Sequence, residues 1–438
     1  MKYLLSSILI FGLFTISCVD RFVIPEDINQ NQGGSFGAGD TTFLQLNPVW
    51  DASYGLNKPI EISIAQDGRI FVADSGLNSI LVFDQNGNSP SGFDGLKNLT
   101  DENGNSISPT DVDIDQKMNV FFINGTQQIF VWNQYWNEIG ISQVSVSGQF
   151  HHLDSGTDSI VSAGTDIWLS FLNHSDWELV STVFSSNSEL IDSLLNPHVF
   201  YDGRDEKNIQ KDIYFRSTDS SKFTGLTAPA NDENLIFVMD TIGTNLESKD
   251  RIMQIDFQRS LLLELANGDT VYAFTGEFGS TVLGPGSGIE YVNDALALDV
   301  DYQGNLYFTQ IGEEFPIHMI IPDHSGDYVS YSSGFNAAMD DIMNPNLFSY
   351  PSDIAVDVNR NIYVVDTDSS HINVFDANGK FFKNVGYPSK DDSVSILNKP
   401  VAVAVDNRGV IYVCDRSEGA IFRFKLSNSL DEDIIPNE

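Results

Sequence analysis

The chain has 438 residues, 41% hydrophobic and 19% charged, which supports a large packed core and excludes a chain disordered by composition. Acidic residues outnumber basic ones 61 to 23, a formal charge of -38 at pH 7. So negative a surface repels phosphate backbones and anionic headgroups, which excludes nucleic acid as a partner, while it favours solubility and attracts cations or basic partners.

The first element is MKYLLSSILIFGLFTISCVD. Lys2 supplies a positive start and Leu4 to Phe14 an apolar stretch of signal-peptide length, short for a membrane span. Thr15, Ile16 and Ser17 then precede Cys18. This resembles a bacterial lipoprotein signal, with cleavage before a lipidated Cys18, although Thr15 stands where Leu is commoner. Residues 1–17 are thus read as the signal peptide, and the lipid as an anchor that does not span the bilayer. Asp20 lies two residues beyond Cys18. By resemblance to known sorting rules this points to the outer membrane of a bacterial cell envelope, on its periplasmic side or at the cell surface. With Cys18 acylated, Cys414 has no disulfide partner, and its place in VIYVCD reads as a small buried hydrophobe.

Residues 18–40 are the lipidated cysteine and a Gly-rich tether without strand or helix periodicity. TTFLQLNPVW (41–50) is an isolated strand. Five similar units follow, beginning at Lys58, Ser108, Val292, Pro351 and Lys399. Each has an apolar strand, a polar turn, a second strand with Tyr or Phe, and a third strand. Two weaker copies lie at 158–183 and 234–257, and residues 428–438 form an acidic tail.

A small sheet cannot bury both faces alone, but such sheets packed around an axis can. The expected fold for residues 41–427 is therefore an all-β propeller. It has seven blades if both weak copies count, which the repeat count favours, and six if 158–257 is one irregular blade. The last unit has only three strands, so 41–50 is expected to complete it, removing free edges and tying the ends together. A monomer is expected.

The pattern Pro351, Ile354–Asp357, Ile362–Asp366, Ile372–Asp376, repeated as Pro59, Ile70–Asp74, Ile80–Asp84, resembles the NHL repeat. The resemblance implies a propeller of usually six blades and no single activity. Members include protein-binding modules and peptide-amidating lyases that bind metal through histidines.

First strands line a propeller's channel. Two residues after the proline position stand Glu61, Asp111, Asp294 and Asp353, with Ala402 in the last unit; His151 and His152 fall near the same place in the weak third unit. Such a set suits a divalent cation, Ca or Zn. The same carboxylates could instead accept backbone N–H bonds and order the channel mouth. Asp74, Asp240, Asp366 and Asp415, at the ends of second strands, read as turn determinants. The long stretches 224–234 and 276–294 read as candidate binding loops. Three zinc-binding histidines cannot be assembled, and no nucleophile-elbow, P-loop or zincin motif occurs. The expectation is a lipid-anchored scaffold binding a protein, peptide or glycan, more readily than an enzyme. The alternative is a metal-dependent lyase or lactonase-like hydrolase with a cation at the channel mouth.

Overall fold

The computed structural model describes residues 42–426 except 91–94, 102–103, 134–144, 157, 165–176, 180–196, 213–220, 230–233, 242–249, 265–269, 313–314, 326–328 and 388–393. The signal, Cys18, the tether and the acidic tail lie outside the described residues.

The first blade holds β1 (Phe43–Trp50) apart and begins with β2 (Pro59–Ile64), β3 (Ile70–Asp74) and β4 (Ser79–Phe83). Its fourth position is one antiparallel bridge, Ile80 with Leu96. The second blade is β5 (Asp111–Ile114), β6 (Asn119–Ile123), β7 (Gln128–Asn133) and, after an insertion, β11 (His198–Asp202). The insertion carries a separate three-stranded sheet of β8 (Ser145–His152), β9 (Asp158–Gly164) and β10 (Trp177–Leu179). The third blade is β12 (Lys222–Thr227), β13 (Leu235–Thr241), β14 (Arg251–Glu264) and β15 (Thr270–Leu283). The fourth is β16 (Ala295–Val300), β17 (Leu306–Gln310), β18 (Ile317–Asp323) and β19 (Ser330–Ser333). The fifth is β20 (Pro351–Val356), β21 (Ile362–Asp366), β22 (His371–Phe375) and β23 (Phe381–Val385). The sixth is β24 (Pro400–Val405), β25 (Ile411–Asp415), β26 (Ala420–Leu426) and, returning from the start of the body, β1.

The ring closes at six blades. The first strands β2, β5, β12, β16, β20 and β24 pack each beside the next, and β24 packs beside β2. An apolar core fills each of the six gaps between blades. The favoured count of seven is therefore corrected. The weak copy at 158–183 supplies β9 and β10 of the inserted sheet, which has no first strand in the ring. The weak copy at 234–257 does supply second and third strands, but its blade opens at β12, inside a stretch read as loop. Likewise residues 276–283 belong to the fourth strand β15, not to a binding loop.

The N-terminal strand closes the last blade as the strand count requires. Phe43 pairs with Leu426 and Trp50 with Ile421. Trp50 is fully buried between blades six and one, against Phe83 at 5.6 Å and Tyr412 at 5.7 Å, with the Arg423 guanidinium 4.7 Å from its ring.

The second-strand aspartates hold the loops. Asp74 accepts the N–H groups of Asn57 and Lys58, which lead into β2, and of Gly76 and Leu77 in the following turn. Asp366 and Asp415 repeat the arrangement with Ser349 and Tyr350, and with Asn398 and Lys399. Asp240 instead pairs with the buried Arg251, which also holds Asp212 at 2.7 Å. A second aspartate series closes the first hairpins: Asp115, Asp301, Asp357 and Asp406 each accept N–H groups two and four residues on.

Candidate functional site: the channel and its mouth

A β-bulge near the start of most first strands sets which side chains face the axis. Pro59 pairs with Asp74 and Glu61 with Ala73; Pro351 and Asp353, and Pro400 and Ala402, repeat the step. In β16 the same step falls on Ala295 and Ala297, and in β12 on Phe223 and Gly225. The residues at this step are Glu61, Asp111, Gly225, Ala297, Asp353 and Ala402, and of these Glu61, Asp111, Ala297 and Asp353 line the channel. Two residues on, on the same strand face, Ser63, Asp113, Asp299, Ala355 and Ala404 also line it, while the third blade contributes Thr224, Leu226 and Ala228.

Three of the four carboxylates expected at the mouth thus share one channel, and Asp294 does not. It precedes β16, is exposed, adopts a left-handed φ of 50°, and donates its N–H to the Asp250 carboxylate. Without a proline to mark the strand start, the alignment slipped by three residues. Asp113 and Asp299 take its place. Their signal was present in DVDID and ALDVD, where the alternation puts them on the inward face.

These five carboxylates line a cavity of about 310 Å³. Each aspartate reaches across to the first strand of the next blade. Asp111 Oδ2 accepts the Leu226 N–H at 2.7 Å, Asp113 Oδ2 the Ala228 N–H at 2.8 Å, Asp299 Oδ2 the Val356 N–H at 2.7 Å and Asp353 Oδ2 the Val403 N–H at 2.7 Å. First strands lie side by side without a continuous ladder, so these bonds satisfy amides that would otherwise face the channel unpaired. Ser63 joins in by donating to Asp113 at 2.6 Å, and Thr227 donates to its other oxygen at 3.1 Å. Glu61 accepts the N–H of Ile62 at 2.9 Å.

Burial and mutual repulsion disfavour the ionised forms. Burial pushes Asp111 and Asp299 up to about 7, and raises Asp113. Glu61 is raised well above the usual carboxylate range by burial and then by the charges of Asp353 and Asp111; Asp353 is raised by burial against the opposing effect of its bond from Val403.

At the end where chains enter the first strands, a cavity of about 410 Å³ is lined by Lys58, Ile60, Ser75, Ser108, Thr110, Val401 and Arg416. It shares Ile60, Thr110 and Val401 with the channel. Neither Lys58 nor Arg416 makes an ion pair among the described residues.

The histidines lie apart from this channel. His151 and His152 sit at the end of β8 in the inserted sheet, and the His152 Nδ1 accepts the Ser155 N–H at 3.0 Å. Their register in sequence resembled a blade start because β8 has strand periodicity, but its partners are β9 and β10. His318 is buried, stacked on Phe308 at 4.6 Å, and His371 opens the third strand β22. Among the described residues no group of three His, Cys, Asp or Glu side chains forms a metal-ligand set. Cys414 is fully buried in β25, and burial pushes its thiol up.

The NHL repeat matches residues 348–375, which span β20, β21 and β22 of the fifth blade. The chain is a six-bladed β-propeller carrying an NHL repeat. No curated protein matches it. Among solved structures, a Bacteroides thetaiotaomicron protein of unknown function is 12% identical, with 88% of this chain and 76% of that one covered and a TM-score of 0.45. A streptogramin B lyase is 12% identical, with coverage of 89% and 98% and a TM-score of 0.42. A gluconolactonase from Xanthomonas campestris is 8% identical, with coverage of 88% and 97% and a TM-score of 0.42.

Proposed function

We propose that this NHL propeller is a lipid-anchored, extracytoplasmic binding scaffold that takes a protein, peptide or glycan partner at the channel mouth. The observation that carries the reading is the division of labour in the channel. Its aspartates are engaged as joints between blades, while Lys58 and Arg416, which make no ion pair among the described residues, border the adjoining 410 Å³ recess. In a chain with 23 basic and 61 acidic residues, two such cations at one concavity suit a partner that offers an acceptor or a carboxylate. The anchor is Cys18, in an outer-membrane lipoprotein.

The test is binding of the mature chain to arrays of peptides and glycans. Lys58→Ala with Arg416→Ala is expected to weaken the captured ligand by about tenfold or more, since each charged hydrogen bond contributes about 1.5–3 kcal/mol. Unchanged binding by the double variant sinks the mouth reading. Acyl-modified Cys18 in the intact mass checks the anchor.

A second reading is a cation-dependent lyase or lactonase-like hydrolase. What favours it is that Glu61, Asp111, Asp113, Asp299 and Asp353 share one cavity. Elemental analysis of the purified chain decides: stoichiometric calcium or zinc that is lost in Glu61→Gln with Asp353→Asn supports it, and no metal above background removes it.

A further inference from the structure

His318, in β18, shares a strand face with Ile320, which packs in the core between blades three and four. It is buried, and both of its ring nitrogens are engaged. Nδ1 lies 3.1 Å from the Ile289 carbonyl oxygen; Nε2 lies 2.8 Å from the Phe315 carbonyl oxygen and 2.8 Å from Gln310 Nε2. Gln310 is fully buried and its amide is oriented from two sides. Its Oε1 accepts the Asn293 N–H at 3.0 Å, and its Nε2 donates to the Phe315 carbonyl at 3.1 Å. The second N–H on that nitrogen therefore faces His318 Nε2, which must accept it. The ring is then neutral and carries its proton on Nδ1, donated to Ile289.

Ile289 and Asn293 belong to the segment 284–293, which leads from β15 to β16. It stands on the face of the channel mouth: Ile311 donates its N–H to the Asp294 carbonyl as Ser75 does to the Lys58 carbonyl, at corresponding places in blades four and one. Of the charged groups on the surrounding elements, Glu290 accepts the Ser333 N–H, Asp250 accepts the Asp294 N–H, Asp294 is exposed, and Arg251 is held by Asp212 and Asp240. Glu313 and Glu314, which precede Phe315, lie outside the described residues. Burial lowers the His318 pKa against two backbone bonds that raise it, and no charged group contributes.

We propose that His318 is an acid-sensitive latch for the segment 284–293: a proton on Nε2 releases the segment from blade four, on the face that holds the mouth. The Phe315 carbonyl can accept the new N–H, but the Gln310 nitrogen 2.8 Å away must then turn aside. Turning the amide takes Oε1 from the Asn293 N–H and sets two donors face to face there. Among the described residues no carboxylate bonds to the ring, so the buried imidazolium is costly until the segment lifts and water reaches it. The docked state thus binds the proton more weakly than the open one. Docking is at full strength above the ordinary imidazole value of about 6.5 and weakens below it, by up to about tenfold per pH unit.

The test is hydrogen exchange of the mature chain at about pH 7.5 and about pH 5, with rates corrected for the intrinsic effect of pH on amide exchange. Protection of 284–293, taken relative to β21, is expected to fall by about tenfold or more at the lower pH. His318→Gln does not titrate, and its segment is expected to be equally protected at both. Gln310→Glu sets a carboxylate beside Nε2, which stabilises the imidazolium, and is expected to keep the segment protected at the lower pH. The proposal is overturned by equal protection of the wild-type segment at both values, or by a loss that β21 shares in step. An acid response that persists in His318→Gln also overturns it, assigning the effect to other groups such as Glu313 and Glu314. Should His318→Gln fail to fold, an acid loss that persists in Gln310→Glu overturns it alone.

Discussion

Asp353 and Asp366 belong to one blade and one residue type, yet they act at right angles. Asp366 ties its own blade together by accepting the N–H groups of Ser349 and Tyr350 and the Ser369 hydroxyl. Asp353 ties blade five to blade six through Val403. Asp366→Ala leaves buried donors unpaired and is expected to cost about 2–3 kcal/mol, measured by denaturant unfolding. The channel carboxylates carry a pH signature. Asp111 and Asp299 have folded values near 7, raised above the unfolded Asp range, so the folded state holds the extra protons. Their contribution to stability is fully present below about pH 4 and is lost as pH rises through about 7. Asp111→Asn keeps an oxygen for the Leu226 N–H and removes the charge. It is expected to be near neutral at pH 4 and stabilising at pH 8, by on the order of a few kcal/mol. Thermal unfolding at the two pH values checks this, and an equal effect at both would contradict it.

At the scale of the element, β1 does the closing. It supplies the outer strand of blade six while its Trp50 fills the gap toward blade one. Trp50→Ala is expected to lower stability by about 3–5 kcal/mol, because a large side chain with 0% exposure leaves a cavity that the sheets cannot collapse. Val394→Ala, at 75% exposure, is the control and is expected to change it by less than about 0.5 kcal/mol. The bulges are the other decisive local feature. They insert one residue between the start of the strand and the first inward side chain, and in β16 that start is Ala295, three residues beyond Val292, so Ala297 and not Asp294 takes the place of Glu61.

At the scale of the whole molecule, the chain carries a formal charge of -38, and no disulfide braces the ring within its described residues. Self-repulsion opposes compactness and is screened by salt. The midpoint of thermal unfolding is expected to rise by about one to three degrees between low and near-molar sodium chloride, as a gain of about 1–2 kcal/mol requires in a body of this size. A midpoint that is flat or falls with salt would show that the acidic surface is already neutralised locally.

The hairpin units, the propeller class, the closing strand, the turn roles of Asp74, Asp366 and Asp415 and the buried Cys414 were legible in the sequence, whereas the pairing of Asp240 with Arg251 was not. Each depends on interactions within one or two strands: alternation, Asp and Gly in tight turns, and a missing fourth strand at the end. Three features were decided only by tertiary structure. The blade count was one, because strand periodicity in β8 and β9 does not say whether a sheet joins the ring. The first strand of blade three was another, because KFTGLT has small, polar inward residues and reads as a turn. The last was the channel set, because no proline marks the start of β16 and only its pairing partners across the sheet reveal that the strand begins three residues later. Periodicity is a local property of the chain, whereas facing the axis depends on closure, to which all six blades contribute.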